Sequence, residues 1–150
     1  MSKRDDIVNE VIRRVNKGME KAYSFQGDGG VWGNWGRSLP ALHFYEGATD
    51  HELIKPGLYD IELPMQIQYI CRLSDSRKVY TEGREKLKKL QTAMELDERL
   101  RKDGDGEELL ISYGMSITEI TDILDNVLAV GVVYNLRYTD KFLGYESFRH

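Results

Sequence analysis

The most regular pattern in the chain is an alternation of apolar and mostly polar side chains from Leu58 to Arg72. Apolar residues occupy every second position, namely Tyr59, Ile61, Leu63, Met65, Ile67, Tyr69 and Cys71. Because the side chains of a strand point alternately to its two faces, this spacing predicts a strand with one apolar face. The strand is roughly twice the usual length. Pro64 lacks an N–H donor, so we expect Leu63–Pro64 at an edge, at a bulge or beyond the sheet, with one end of the strand less fully paired.

Two segments have the apolar spacing of helices. Ser2 followed by Asp5 resembles a capping box, and an apolar stripe then predicts a helix over residues 4–22. Its basic residues, Arg14 among them, are expected on a solvated face or against a partner or nucleic acid. A second stripe, interrupted by Gly83 and Asp97, predicts a helix over residues 77–102.

The remaining regular segments are strands. Residues 39–45 predict a short strand, and residues 46–57 a polar loop. Residues 109–124 predict a strand whose register shifts near Ile120, which indicates a bulge or a bend. A short turn leads to a last strand over 127–139, so these two strands form an antiparallel hairpin. The predicted fold is α+β: an antiparallel or mixed sheet of about four strands, with two main helices on one face. The chain is expected to be one domain over 1–150, with a C-terminal extension at about 140–150.

Two aromatic segments have no clear periodicity. The glycine-rich stretch from Gly27 to Gly36 carries Trp32 and Trp35, which either fold onto their own domain or face a partner. The final segment after Asp140 is too apolar for a solvated tail and is expected to dock on its own domain or on a neighbouring copy. Its apolar residues are Phe142, Leu143, Tyr145 and Phe148.

Composition narrows the functional classes. The net charge of -4 and the pI near 5.4 argue against a broad phosphate-binding surface. Cys71 is the single cysteine and lies on the apolar face, which favours a buried, inert thiol in a reducing compartment. The N-terminus lacks the apolar region of a signal peptide, and no apolar run has the length of a membrane-spanning helix.

Catalytic and metal-binding motifs are absent from the sequence. No nucleophile elbow, zinc-protease motif, paired-cysteine motif or phosphate-binding loop occurs. His43 lies in a predicted strand, and His51 lies between Asp50 and Glu52 without a second histidine at metal-ligand spacing. We therefore expect no enzyme, no cofactor and no metal, although a site assembled from distant residues would leave no such pattern.

The order of elements resembles the small tail-terminator (tail-completion, minor tail) proteins of long-tailed bacteriophages. The likeness runs over about residues 4–139: a first helix RDDIVNEVIRRV, the segment LPALHFYEG, the long strand YDIELPMQIQYICR, the helix REKLKKLQTAMELDERLR and a last hairpin ending in AVGVVYNLRYTD. It is a likeness of layout and short fragments, without an invariant motif. The Trp32–Trp35 loop and the segment after residue 140 are additions to the shared layout.

The resemblance implies a structural role in the virion, in its tail or neck, after assembly in the host cytoplasm. Family members form a hexameric ring at the head-proximal end of the tail tube, which stops tube polymerisation and offers a joint to the head-completion proteins. The implied partners are copies of the chain, the tail tube protein and a head-completion (neck) protein, with DNA only as non-specific cargo in the lumen and no membrane. Candidate interface residues are Trp32, Trp35, Leu63, Pro64, Met65, Phe142, Leu143, Tyr145 and Phe148.

Two alternatives remain at this stage. Another neck or head-completion adaptor, or a tube-related subunit, has a similar layout. In a different class, a concave sheet face with Trp32 and Trp35 is typical of a small-molecule-binding α+β domain. A ring protein self-associates, whereas a binding domain stays monomeric and melts at a higher temperature when its ligand is present.

Overall fold

The structure is a computed structural model that describes residues 2–19, 22–26, 39–95, 100–102, 106–122 and 126–141. Two α-helices, α1 (Lys3–Gly18) and α2 (Val79–Met94), pack on one face of a β-sheet. The strands are β1 (Tyr23–Gln26), β2 (Ala41–Glu46), β3 (Asp50–Lys55), β4 (Leu58–Arg72), β5 (Ser112–Asp122) and β6 (Val127–Lys141). The predicted α+β class is confirmed, and the sheet has six strands in the described ranges rather than about four.

The long strand β4 is the centre of the sheet. The strand order is β1-β2-β4-β6-β5, and β3 pairs with β4 beside this path. All pairs are antiparallel except β1 with β2, which are parallel. β4 pairs with β6 from Leu58 opposite Lys141 to Arg72 opposite Val127, and β6 pairs with β5, so the predicted C-terminal hairpin is confirmed.

Pro64 marks a change of partner and not an unpaired end. On the side away from β6, β4 pairs with β2 from Met65 onward and with β3 up to Glu62. The prediction that one end of β4 is less fully paired is therefore wrong. The Pro64 carbonyl accepts a hydrogen bond from the Gly47 N–H at 2.8 Å, so its backbone nitrogen faces the connection between β2 and β3. The missing donor costs no ladder bond there, which explains why proline is tolerated in the middle of the strand.

The core lies between the helices and the face of β4 that carries its odd-numbered residues. Leu63, Met65 and Ile67 are all 0% exposed in this layer. Ile7, Val11 and Val15 of α1 and the alternate residues Leu128 to Tyr138 of β6 complete it. Cys71 is buried in the same layer, as predicted. A small second cluster on the opposite face contains Ile70 and Val127, with Leu39 and Ala129 packed against it.

The start of α1 follows the prediction, but one of its basic residues does not. The Ser2 hydroxyl accepts from the Asp5 N–H at 3.1 Å, which confirms the cap. Arg14, predicted on a solvated face, is only 3% exposed. Its Nε donates to Glu10 at 2.7 Å and its Nη2 donates to the Arg101 carbonyl at 3.0 Å. The predicted solvated face is wrong at Arg14 because this side chain ties α1 to the segment that follows α2.

Two glycines let the helices approach their neighbours. Gly18 at the end of α1 lies against Ala93 of α2, where a Cβ would collide. A Cβ on Gly83 of α2 would lie 2.6 Å from Cγ2 of Ile120 in β5. Gly83 interrupts the apolar stripe of α2 because β5 is packed against the helix at that position. α2 therefore lies between α1 on one flank and β5 beneath it.

Several predicted boundaries need correction. α1 ends at Gly18 rather than at 22, and α2 covers Val79–Met94 rather than 77–102. The predicted polar loop 46–57 contains strand β3. The register shift of β5 falls between Met115 and Ile117 rather than near Ile120. Within the described residues, no helix is both long and apolar enough to cross a membrane.

Candidate interaction surfaces

A three-stranded arm extends from one side of the sheet. We define the arm as residues 50–62 and 137–141, which are β3, the first third of β4 and the end of β6. All six residues of β3 are exposed, and its apolar residues Leu53 and Ile54 are 58% and 53% exposed. A strand exposed on both faces gains little from hydrophobic burial, so pairing with β4 is what holds β3 in place.

A two-residue turn closes the tip of the arm. Lys55 pairs with Leu58, and Pro56 and Gly57 lie between them. Gly57 has a φ of +83°, a conformation that a type II turn requires at its third residue and that favours glycine. Proline at the preceding position has a φ that suits the same turn. This turn fixes the register of β3 on β4 without any contribution from the core.

An acidic cleft of about 540 Å³ lies on the arm, on the sheet face opposite the helices. It is lined by Asp50, His51, Glu52, Asp60, Glu62 and Arg137. Asp50 is directly opposite Glu62, and Glu52 is directly opposite Asp60. Like charges directly opposite each other destabilise a strand pair. The cleft thus has four carboxylates and a single guanidinium. The two cross-strand pairs of acidic residues are electrostatically unfavourable.

Arg137 neutralises one of these carboxylates. Its Nη2 lies 2.6 Å from Asp60 Oδ2, and its Nε lies 3.1 Å from Oδ1. Hydrogen bonds from Arg137 lower the pKa of Asp60 below its usual value of 3.8, and the carboxylate in turn raises the pKa of Arg137. Glu52 and Glu62 add to the rise in the pKa of Arg137. The remaining three carboxylates give the cleft a net negative charge.

A second surface lies at the other side of the sheet, along β5. β5 pairs with β6, and no described strand lies on its other side. Ser116 is the extra residue of the bulge, with Met115 opposite Tyr134 and Ile117 opposite Val133. Met115 and Ile117 are 39% and 59% exposed. An exposed edge strand with apolar side chains is a template for pairing with another chain.

The outer flank of α2 lies above this edge and is basic. Arg84 is nine positions from Ala93, so at 3.6 residues per turn it lies about 180° around the helix from the contact with α1. Tyr80 and Lys88 lie within about 40° of that direction. All three are exposed, Tyr80 at 66%. We call Tyr80, Arg84 and Lys88 the α2 stripe; it adjoins β5 because Gly83 faces Ile120.

The interface residues that were predicted from the sequence have different environments in the structure. Leu63 and Met65 are in the core, 0% exposed, so they offer no surface to a partner in this fold. Their assignment to an interface is wrong because the face of β4 that carries them is covered by the helices. Pro64 is half-buried and packs beside Gly47. The other predicted interface residues lie outside the described residues: Trp32, Trp35, Phe142, Leu143, Tyr145 and Phe148.

The histidines and acidic residues do not assemble a metal site in the described ranges. No group of three or more His, Cys, Asp or Glu side chains there has the geometry to hold a metal ion. His43 is buried in β2, and His51 on the arm makes an edge-to-face contact with Tyr59 at 6.0 Å.

Sequence reasoning missed the arm and the α2 stripe. The arm had one usable signal, the Pro56–Gly57 pair between two strand-length segments. The α2 stripe had another, since Tyr80, Arg84 and Lys88 recur at helical spacing on a flank of the helix that has no apolar periodicity. The acidic cleft had none, because its carboxylates come from two strands whose register only the structure defines.

The comparisons with known proteins add no relative. No protein-family model matches the chain, and no curated protein matches it.

Proposed function

We propose that this chain is a structural subunit that assembles head to tail into a ring, and that the ring caps the head-proximal end of a bacteriophage tail tube. One observation supports assembly into a ring: two unlike exposed surfaces lie on opposite sides of one sheet. The arm presents Leu53 and Ile54, and the opposite edge presents Met115 and Ile117. Closed rings form through heterologous contacts, in which one patch of each subunit meets a different patch of the next.

The position of the ring on a phage tail rests on the resemblance of layout. Support comes from the order of elements: a capped first helix, the long central strand β4, the helix α2 and the closing hairpin β5–β6. The partners in this proposal are the tail tube protein, a head-completion protein and further copies of the chain. DNA passes through the lumen as cargo, and the role is structural in the virion.

The acidic cleft does not favour the small-molecule alternative. Ligand pockets are usually lined by hydrophobic and aromatic side chains with a few polar groups. The cleft is instead lined by four carboxylates, one arginine and one histidine. A neck adaptor remains the alternative function most similar to the proposed one, because it also assembles through repeated contacts.

The test is to add the purified protein to polymerising tail tubes. Capping gives shorter tubes that carry a ring at one end in negative-stain electron micrographs, whereas unchanged tube lengths contradict termination. A ring that forms without capping favours a neck adaptor. A chain that stays monomeric in analytical ultracentrifugation contradicts both.

A matched pair of variants ties the result to the arm. Leu53→Asp with Ile54→Asp places two charges on the exposed tip of the arm, so we expect loss of rings and of capping. Lys17→Asp makes the same change in net charge on the exposed end of α1, away from both surfaces, and is expected to retain both activities. Equal behaviour of the two variants contradicts a role for the arm.

A further inference from the structure

We propose that neighbouring copies recognise each other by charge, with the acidic cleft of one copy docked on the α2 stripe of the next. This rests on the proposed ring, which it deepens by assigning the partner of each surface. It starts from two surfaces of opposite sign on opposite sides of one molecule. The occupant of the exposed α2 flank is therefore a second copy of this chain.

The α2 stripe has the composition of a protein interface. Tyrosine and arginine are enriched among residues that dominate binding energy, and Tyr80 exposes two thirds of its surface beside Arg84. Lys88, one turn further along, extends the positive charge of the same flank. An aromatic ring followed by two cations is suited to an acidic surface with apolar neighbours, and the arm provides both in the cleft and in Leu53 and Ile54.

Among the described residues that line the cleft, carboxylates outnumber cations by four to one. Asp50 faces Glu62 and Glu52 faces Asp60, and Arg137 is bound to only one of the four carboxylates. Cations from a second copy would remove the repulsion between these pairs. Because this gain occurs only on association, the pairing favours one orientation of the subunits and penalises arm-to-arm contacts, where two acidic surfaces meet.

Each of the two charged surfaces lies next to exposed apolar side chains. The cleft and the exposed Leu53 and Ile54 belong to the same arm, and the α2 stripe adjoins the face of β5 that carries Met115, which lies opposite the buried Tyr134. One docking event therefore brings charge against charge and apolar surface against apolar surface. Complementary charges set the register and raise the association rate, while apolar burial supplies affinity.

A charge-swap experiment tests the pairing. Variant A carries Asp50→Lys and Glu52→Lys, and variant B carries Arg84→Glu and Lys88→Glu. Each alone brings like charges together, so we expect self-association to weaken at least about 10-fold. An equimolar mixture of A and B restores both contacts in alternation, and its association is expected to return to within about 3-fold of the original chain.

Two single variants test whether a charge reversal elsewhere on the surface weakens association. Glu107→Lys and Lys17→Glu change charges of the same two signs at exposed positions away from both surfaces and should leave association unchanged. Raising the ionic strength to about 1 M shortens the Debye length to about 3 Å and should weaken association of the original chain. Analytical ultracentrifugation measures each case, and circular dichroism checks that A and B remain folded.

The outcomes separate this inference from the proposed function. If the original chain forms rings and caps tubes but A and B associate as it does, the charge pairing is wrong and the ring stands. If A and B are both weakened and their mixture is not restored, the two surfaces are not partners of each other. If the original chain never self-associates, the proposed ring fails together with the pairing.

Discussion

The two ends of β4 have the same backbone pairing and very different surroundings. From Ile61 to Cys71, alternate residues of β4 are buried against the helices, whereas β3, which pairs with the first residues of β4, has all its side chains exposed. Both ends have a strand on either side. The difference indicates that hydrogen bonding sets where β4 runs, while burial sets which part of it is stable without a partner.

The largest expected difference concerns side-chain truncation. Leu63→Ala removes a fully buried side chain and should lower the free energy of unfolding by about 2–5 kcal/mol. Leu53→Ala removes an exposed one and should change it by less than about 0.5 kcal/mol. Urea denaturation of the dilute protein measures both. Similar losses at the two positions would contradict the difference between the buried face of β4 and the exposed strand β3.

A second comparison concerns the contact between α2 and β5. Gly83→Val places new atoms against Ile120 and should lower the free energy of unfolding by about 1–3 kcal/mol. Gly114→Val is the control, because a Cβ there meets nothing within 4 Å. Adding Ile120→Ala to Gly83→Val should recover part of the loss, as thermal or urea unfolding of the double variant can test. Additive losses would mean that Gly83 does not carry the helix onto β5.

The arm and the core should also differ in amide hydrogen exchange. Amides of β3 open without exposing core side chains, so in dilute protein they should exchange at least about 10-fold faster than amides of β4 between Leu63 and Cys71. Mass spectrometry of deuterium uptake measures this. At concentrations where rings form, protection of β3 should rise while that of the core stays constant. A β3 as protected as the core in dilute protein would contradict an arm held only by strand pairing.

The smallest effect concerns the ion pair on the arm. Because Arg137 lowers the pKa of Asp60, the pair contributes stability above the ordinary carboxyl pKa of 3.8, and this contribution is lost as the pH falls through the lowered value. Arg137→Gln should raise the pKa of Asp60 towards 3.8, and NMR titration of the carboxyl carbon measures it. The effect on stability is small because both partners contact solvent.

A control variant isolates that effect. Arg101→Gln removes a different surface pair, with Glu108 at 2.9 Å, and should leave the pKa of Asp60 unchanged. An unchanged pKa of Asp60 in Arg137→Gln would mean that the cleft is not organised around this arginine.

The parts of the fold that the sequence predicted are those with a buried face. The bounds of β4, Leu58–Arg72, agree with the alternating pattern because one side of the strand is covered along most of its length. The apolar residues of α1 predicted a helix for the same reason, because they are buried on one face. β3 has no buried face, so its side chains carry no periodic signal, and only the Pro56–Gly57 turn marks it.

The candidate surfaces were much less predictable. The expectation that one end of β4 is less fully paired favoured an interface at Leu63 and Met65, whereas both side chains are buried in the core. Arg14 was assigned to solvent because charge alone gives no information about a buried partner such as Glu10. The acidic cleft depends on cross-strand register, which a single sequence does not specify for a strand without a buried face.

Cys71 can serve as a built-in probe of the opening of the core. It is the single cysteine of the chain and is 7% exposed near the end of β4. A thiol reagent reaches it only when that part of the core opens, so its rate of labelling reports the opening of the native state without any added probe. A second cysteine placed at Pro56 on the arm tip would react at once, and a fluorophore attached there alone could follow the approach of a neighbouring subunit.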